Sequence, residues 1–288
     1  METRRRRQVR THIIVLTTLC TCLGLLLFSF IGALIAAEVL GTTARTPIEN
    51  PDWQITDEMI ANWEREEEEA IKKARAEKIA SSIGIIYLTF DDGPGDYTAA
   101  LLDTLKKYDV KATFFVTGYG DDEMIRREFK EGHSVGLHSL SHKYDQVYSS
   151  VEAYFDDLSK ISNRVKDITG EESKLIRFPG GSSNTVSVRY DHGIHIMSIL
   201  TSEVENRGYK YFDWNVNSGD ADTAKTADAV YTNVVTHLKP GPNVVLQHDI
   251  KNFSVEAVER IIEFGLANNY VFLPLDSDSF AAHHPVNN

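Results

Sequence analysis

Two histidines stand four residues apart in Gly136-Leu137-His138-Ser139-Leu140-Ser141-His142. On one turn of helix His138 and His142 would face the same way, so both imidazoles could reach one ion. Such a spacing can also arise by chance among ten histidines, so it needs support elsewhere. Support comes from Thr89-Phe90-Asp91-Asp92-Gly93-Pro94. The Asp-Gly step alone would be an ordinary turn. Two adjacent carboxylates, however, repel each other unless a positive group lies between or beside them. One of these carboxylates together with the two histidines makes a His2Asp set. That is the three-ligand composition of a catalytic zinc site, with a fourth position open for water or substrate. The chain's two cysteines, Cys20 and Cys22, fall in its apolar N-terminal stretch. Neither a disulfide framework nor a thiolate metal site is therefore available to the rest.

Three more segments carry polar residues of the same kind. Arg177-Phe178-Pro179-Gly180-Gly181 offers an arginine that could pair with a carboxylate, although alone it would read as a turn with a surface arginine. Asp213-Trp214-Asn215-Val216-Asn217-Ser218-Gly219-Asp220 and Val245-Leu246-Gln247-His248-Asp249 follow. A lone histidine at the end of an apolar run is usually structural. Here it is one of several polar residues in equivalent positions.

The elements that must position these residues are short apolar runs alternating with amphipathic stretches. The runs are Ile83–Phe90, Ala112–Thr117, Ser134–His138, Lys174–Phe178, Tyr209–Val216, Asn243–His248 and Tyr270–Leu273. Helical patterns cover Thr98–Lys107, Asp121–Glu131, Ser149–Ile168, Tyr190–Asn206, Ala224–Leu238 and Ser254–Asn268. Strands alternating with helices predict parallel βα units, and seven of them predict a barrel. In a parallel barrel functional residues lie at the C-terminal ends of strands, where each segment above falls. No Gly-x-Gly-x-x-Gly turn follows the first strand, so no nucleotide cofactor is expected.

Ahead of this body, five arginines occur within residues 1–11, and no charged residue separates Arg10 from Glu38. Residues 12–37 are long enough for a membrane-spanning helix and longer than the apolar stretch of a cleaved signal peptide. The arginine cluster predicts a single-pass anchor with a cytoplasmic N-terminus and an extracellular body. Residues 38–82 read as a Thr/Pro linker and a charged helix starting near Thr56 or Asp57, a stalk or a helix lying on the body. Glu68–Lys72 and Glu69–Lys73 have the spacing that supports such a helix. Residues 83–276 form the body. Residues 277–288 read as a polar tail whose His283-His284 belong to a frayed end. The net charge is −12 even with the arginines included, which argues against nucleic acid as a partner.

The five polar segments, in this order and spacing, resemble the motifs of the polysaccharide deacetylase family (NodB homology, carbohydrate esterase family 4) over residues 83–274. The resemblance implies a distorted (β/α)7 barrel, preceded here by the membrane helix and stalk. It implies one divalent metal ion, commonly Zn2+ with Co2+ or Mn2+ as alternatives, and removal of acetyl groups from amino sugars or xylan. By the same resemblance Asp91 is the catalytic base and Asp92, His138 and His142 are the metal ligands. Arg177 orients the base, and the Gly180 N–H helps hold the oxyanion. Trp214 and Leu246 wall the acetyl pocket, and His248 is the general acid with Asp220 as its partner. The residue after Pro179 is often aromatic in the family and is glycine here, which makes one wall of the groove smaller. Asn217 is a milder departure. The expected substrate is peptidoglycan, at N-acetylglucosamine. The alternatives are chitin-like oligomers, acetylated xylan or N-acetylmuramic acid, or a non-catalytic wall-binding protein on the same fold.

Overall fold

The computed structural model describes residues 56–288; the basic tail, the apolar span 12–37 and the linker up to residue 55 lie outside them. Among the described residues no helix is long and apolar enough to cross a membrane. Contacts divide the chain into residues 1–62 and 63–288, and the second unit carries the site.

Helix α1 (Asp57–Ala80) begins where the Thr56 hydroxyl accepts from the Met59 N–H, and it buries no side chain. Lys73 and Glu77 form an exposed pair at 4.0 Å on it, rather than the two pairs expected from the spacing. Near its end Arg75 reaches Asp276 at 2.8 Å, which ties the last turns to the body.

The body alternates as the sequence requires: β1 (Gly84–Asp91), α2 (Thr98–Lys107), β2 (Thr113–Thr117), α3 (Asp122–Lys130) and β3 (Ser134–Ser139). Then come the short α4 (Tyr144–Val147), α5 (Val151–Thr169), β4 (Leu175–Ile176), α6 (Ile196–Asn206), β5 (Lys210–Tyr211) and β6 (Val216–Asn217). Helix α7 (Ala227–His237), β7 (Gly241–His248), α8 (Asn252–Ala267) and β8 (Tyr270–Phe272) complete it. The long helix α5 shows why such boundaries are readable. The Ser150 hydroxyl caps it by accepting from the Ala153 N–H, and Gly170 closes it at φ 84°. Tyr154, Leu158, Ile161 and Val165 form its buried stripe.

All strand pairs are parallel, in the order β5-β4-β3-β2-β1-β7-β6, with β8 beside the start of β1. One strand was expected over Tyr209–Val216. The structure splits it into β5 and β6 on opposite edges, so the distorted (β/α)7 barrel is an open half-barrel of parallel strands. Residues 213–215 cross the gap and find other partners. The Asp213 N–H donates to the Ala282 carbonyl at 2.8 Å, and the Asn215 side chain bridges the Pro242 carbonyl and the Val244 N–H. Buried backbone groups that leave a ladder must pair elsewhere, and these do.

Residues 277–288 are not a frayed end. Ser279, Ala282 and Asn288 are buried, and the Asn288 carbonyl accepts from both the N–H and the hydroxyl of Ser198. The tail runs as a strap across the loops after β4 and β5.

Candidate active site

Strands β1 and β7 pair over eight positions, and the register sets Asp91 opposite His248. Two chemically active residues thus meet at neighbouring strand ends. Asp91 is still in the strand and buried, whereas Asp92 has φ 73° in the left-handed region. That reversal turns the two neighbouring carboxylates in different directions. The turn is held by the Thr117 N–H and hydroxyl on the carbonyls of residues 92 and 93.

Asp92 meets the histidine pair. Its Oδ1 lies 3.4 Å from His138 Nε2 and 3.3 Å from His142 Nε2. Asp92 Oδ1 is buried and has no hydrogen-bond donor among the described residues. Burial alone would raise the Asp92 carboxyl, but His138, His142 and His248 around it hold it well below the usual carboxylate range. One ligand atom from each of Asp92, His138 and His142 lies within 4.8 Å of the others, the one such triad among the described residues. His138 Nδ1 stands 2.8 Å from the Arg177 carbonyl. A carbonyl can only accept, so Nδ1 carries the proton and Nε2 keeps its lone pair for an ion. An orphaned carboxylate oxygen facing the Nε2 atoms of two imidazoles fits a divalent cation of the zinc type.

The histidines do not share a helical turn, as their spacing suggested. His138 is the last residue but one of β3, and His142 sits in a loop at φ 50°. The loop is shaped by Asp157 of α5, which accepts from the Ser139 hydroxyl and the N–H groups of Leu140 and Ser141. The Ser139 hydroxyl in turn accepts from the His142 N–H. Asp157 went unnoticed in the sequence. Its signal was an acid three residues after Tyr154 and four before Ile161, on the apolar face of its helix.

Arg177 is fully buried, and every bond of its guanidinium is internal. It donates to Asp91 Oδ1 at 2.8 Å, Thr89 Oγ1 at 2.7 Å, the Phe212 carbonyl at 2.8 Å and the Asp213 carbonyl at 3.0 Å. Its side chain therefore fixes Asp91 while its main chain fixes His138. His248 Nδ1 lies 2.8 Å from Asp220 Oδ1, and its Nε2 lies 3.9 Å from Asp92 Oδ2. Asp220 is buried. Its Oδ2 accepts from the His248 N–H and the Ser254 hydroxyl. Burial would lower His248, but Asp220 first, then Asp91 and Asp92, favour its imidazolium and raise its pKa. Desolvation of Asp220 is likewise outweighed by its bonds to His248 and Ser254, so its carboxyl sits below the usual range.

The remaining residues of the expected set are Leu246, Trp214 and Gly180. Leu246 lies two positions before His248 on β7 and is buried. Trp214 covers Gly181, where a Cβ would come 3.0 Å from the indole. Gly180 has φ 77°, and its N–H takes no part in the hydrogen bonds of the turn. Buried Asp213, which carried no assigned role in the sequence, receives the N–H groups of Ser182 and His284, each at 2.8 Å. His283 and His284 are no metal pair. His283 stacks on Tyr211 at 3.8 Å, while His284 Nε2 donates to the Trp214 carbonyl at 2.6 Å. The strap thus braces the Trp214 wall. Next to His248, Asp249 is fully buried and its carboxyl is pushed up to about 7, chiefly by desolvation.

Residues 78–196 match the family model for polysaccharide deacetylase. A peptidoglycan-N-acetylglucosamine deacetylase of Bacillus cereus is 36% identical over 211 residues, which cover 70% of this chain and 72% of that protein. The catalytic domain of a peptidoglycan N-acetylglucosamine deacetylase from Eubacterium rectale superposes with a TM-score of 0.68 at 53% identity, over 71% of this chain and 94% of that one. The peptidoglycan-N-acetylmuramic acid deacetylase of Bacillus subtilis is 29% identical over 200 residues, 68% of this chain and 71% of that protein.

Proposed function

Because the chain belongs to the polysaccharide deacetylase family, we propose that it hydrolyses N-acetyl groups of peptidoglycan, at N-acetylglucosamine, using one divalent ion, most simply Zn2+, on Asp92, His138 and His142. The observation that carries this reading is the pair of tethered groups flanking the triad: Asp91 held by Arg177, and His248 held by Asp220. A bound divalent ion supplies Lewis-acid polarisation of the acetyl carbonyl and a lowered pKa for the attacking water. Asp91 Oδ1 is engaged by Arg177, so Oδ2 is the atom placed to take the water proton. The Gly180 N–H, which takes no part in the hydrogen bonds of its turn, would donate to the oxygen that becomes negative. Trp214 and Leu246 flank the acetyl methyl. His248 then gives its Nε2 proton to the sugar nitrogen as the C–N bond breaks, releasing acetate and a free amine. Asp220 holds Nδ1–H and steadies the imidazolium.

The peptidoglycan assignment rests on the names of the relatives, two of which act at N-acetylglucosamine and one at N-acetylmuramic acid. The deciding experiment measures acetate released from purified peptidoglycan, N-acetylglucosamine oligomers and acetylated xylan, with mass spectrometry of the products. Deacetylated glucosamine in the muropeptides is the expected result. Deacetylated muramic acid alone would move the site to the other sugar, and no acetate from any polymer would leave a wall-binding protein.

The membrane reading is likewise a proposal. The arginine cluster and apolar span support an N-terminal anchor with residues 41–288 outside the cell, beside the wall. Protease added to intact, wall-stripped cells is then expected to digest that part. A fully protected body would overturn the topology.

A further inference from the structure

The conformation of Gly180 bears on a residue outside the set above. At φ 77° a side chain would be strained, and a Cβ would stand 2.6 Å from the Tyr144 hydroxyl. The room that a residue at 180 would use is thus already filled by a phenol from another element. Tyr144 opens α4, two residues after His142. Its ring meets the His142 imidazole edge-on at 5.6 Å, and Tyr148 packs behind it at 5.7 Å. Tyr148 is buried and donates its hydroxyl to the Pro179 carbonyl at 2.8 Å, so the two tyrosines brace the turn that carries Gly180. The two hydroxyls differ. Tyr148 spends its proton on the turn, whereas no described residue accepts from Tyr144. The Tyr144 hydroxyl therefore lies where a Gly180 Cβ would be, with its proton free of acceptors among the described residues, on a ring packed between His142 and Tyr148.

We propose that Tyr144 is a catalytic residue whose hydroxyl donates a hydrogen bond to the acetyl oxygen of the substrate, next to the Gly180 N–H. This rests on the deacetylase reading and deepens it. The glycine after Pro179 then has a purpose, since it leaves room for a donor supplied by α4. A phenol ordered before substrate arrives stabilises charge that develops during the reaction without having to reorganise.

The test is Tyr144→Phe in the full chain, loaded with Zn2+. The ring and its contacts with His142 and Tyr148 are kept, and only the hydroxyl is lost. Against N-acetylglucosamine oligomers kcat/KM should fall about 10²- to 10³-fold, mostly in kcat, as expected for one lost oxyanion donor. Acetate, titrated as a product ligand, should bind roughly tenfold more weakly, since a hydrogen bond to a charged group is lost. Zinc content should stay that of the wild type. Unchanged kcat/KM together with unchanged acetate affinity would overturn the role of Tyr144 while leaving deacetylation intact. Loss of zinc together with activity would make the tyrosine a support for His142 and would also overturn it. A wild-type protein that releases no acetate would bring down the parent reading, and this role with it.

Discussion

Asp91→Asn should keep its metal and lose turnover by ~10²–10⁴-fold, the usual contribution of a general base. Asp92→Ala should do the reverse in the first respect, losing the ion and activity together. The two residues are chemically identical neighbours, so the contrast tests geometry alone. Asp91 is buried against Arg177, while Asp92 is turned through the left-handed region onto two imidazoles. An asparagine at 91 can still accept from Arg177, so the fold and KM should change little. Metal content and turnover are measured on both variants. An Asp91→Asn protein without metal, beside an Asp92→Ala protein with it, would reverse the assignment. Two active variants would remove the mechanism.

Arg177→Met should be the most destabilising single change at the site. Methionine fills much of the volume but leaves Asp91, the Phe212 carbonyl and the Asp213 carbonyl without their donor. Breaking a buried ion pair by removing one partner costs about 3–5 kcal/mol. For a domain of this size that lowers Tm by roughly 6–20 °C. Arg177→Lys should recover only part of this, because a point ammonium cannot reach four acceptors arranged around a planar fork. Thermal melts of both variants check the expectation. A methionine variant that melts within a couple of degrees of the wild type would mean that the arginine contributes no net stability.

The residues that carry chemistry were legible because their types are costly to place without a purpose. Paired carboxylates, a histidine pair and a terminal histidine recur at the ends of apolar runs, and the structure gathers them at one end of a parallel sheet. What supports them was less visible. Asp157 and Asp213 look like any other acids in the sequence; their roles appear only when loop N–H groups converge on them. The pattern of residues 209–216 read as one strand because hydrophobic periodicity cannot reveal that Asp213 and Asn215 find partners off the sheet. The tail read as frayed for a related reason. Its polar residues satisfy buried partners, and composition alone cannot distinguish those from residues facing water. Tyr144 was hidden in the histidine loop, because its relation to Gly180 joins positions 36 residues apart in the chain, roughly what a single βα unit spans.

The register of the sheet also sets how far apart in the chain the parts of the site lie. Asp92 follows β1, His138 lies in β3 and His142 in the loop after it, and these reach one another through the adjacent pairs β1–β2 and β2–β3. The contacts that assemble these three are short in sequence. His248 and Leu246 join only when β7 docks on the other side of β1, roughly 150 residues further along. Loop-closure entropy therefore weighs on His248 and Leu246 by only about 1 kcal/mol more than on Asp92, His138 and His142, because it grows with the logarithm of loop length. The part of the site suited to an ion thus rests on neighbouring strand pairs, whereas His248 and Leu246 rest on the long-range pairing of β7 with β1.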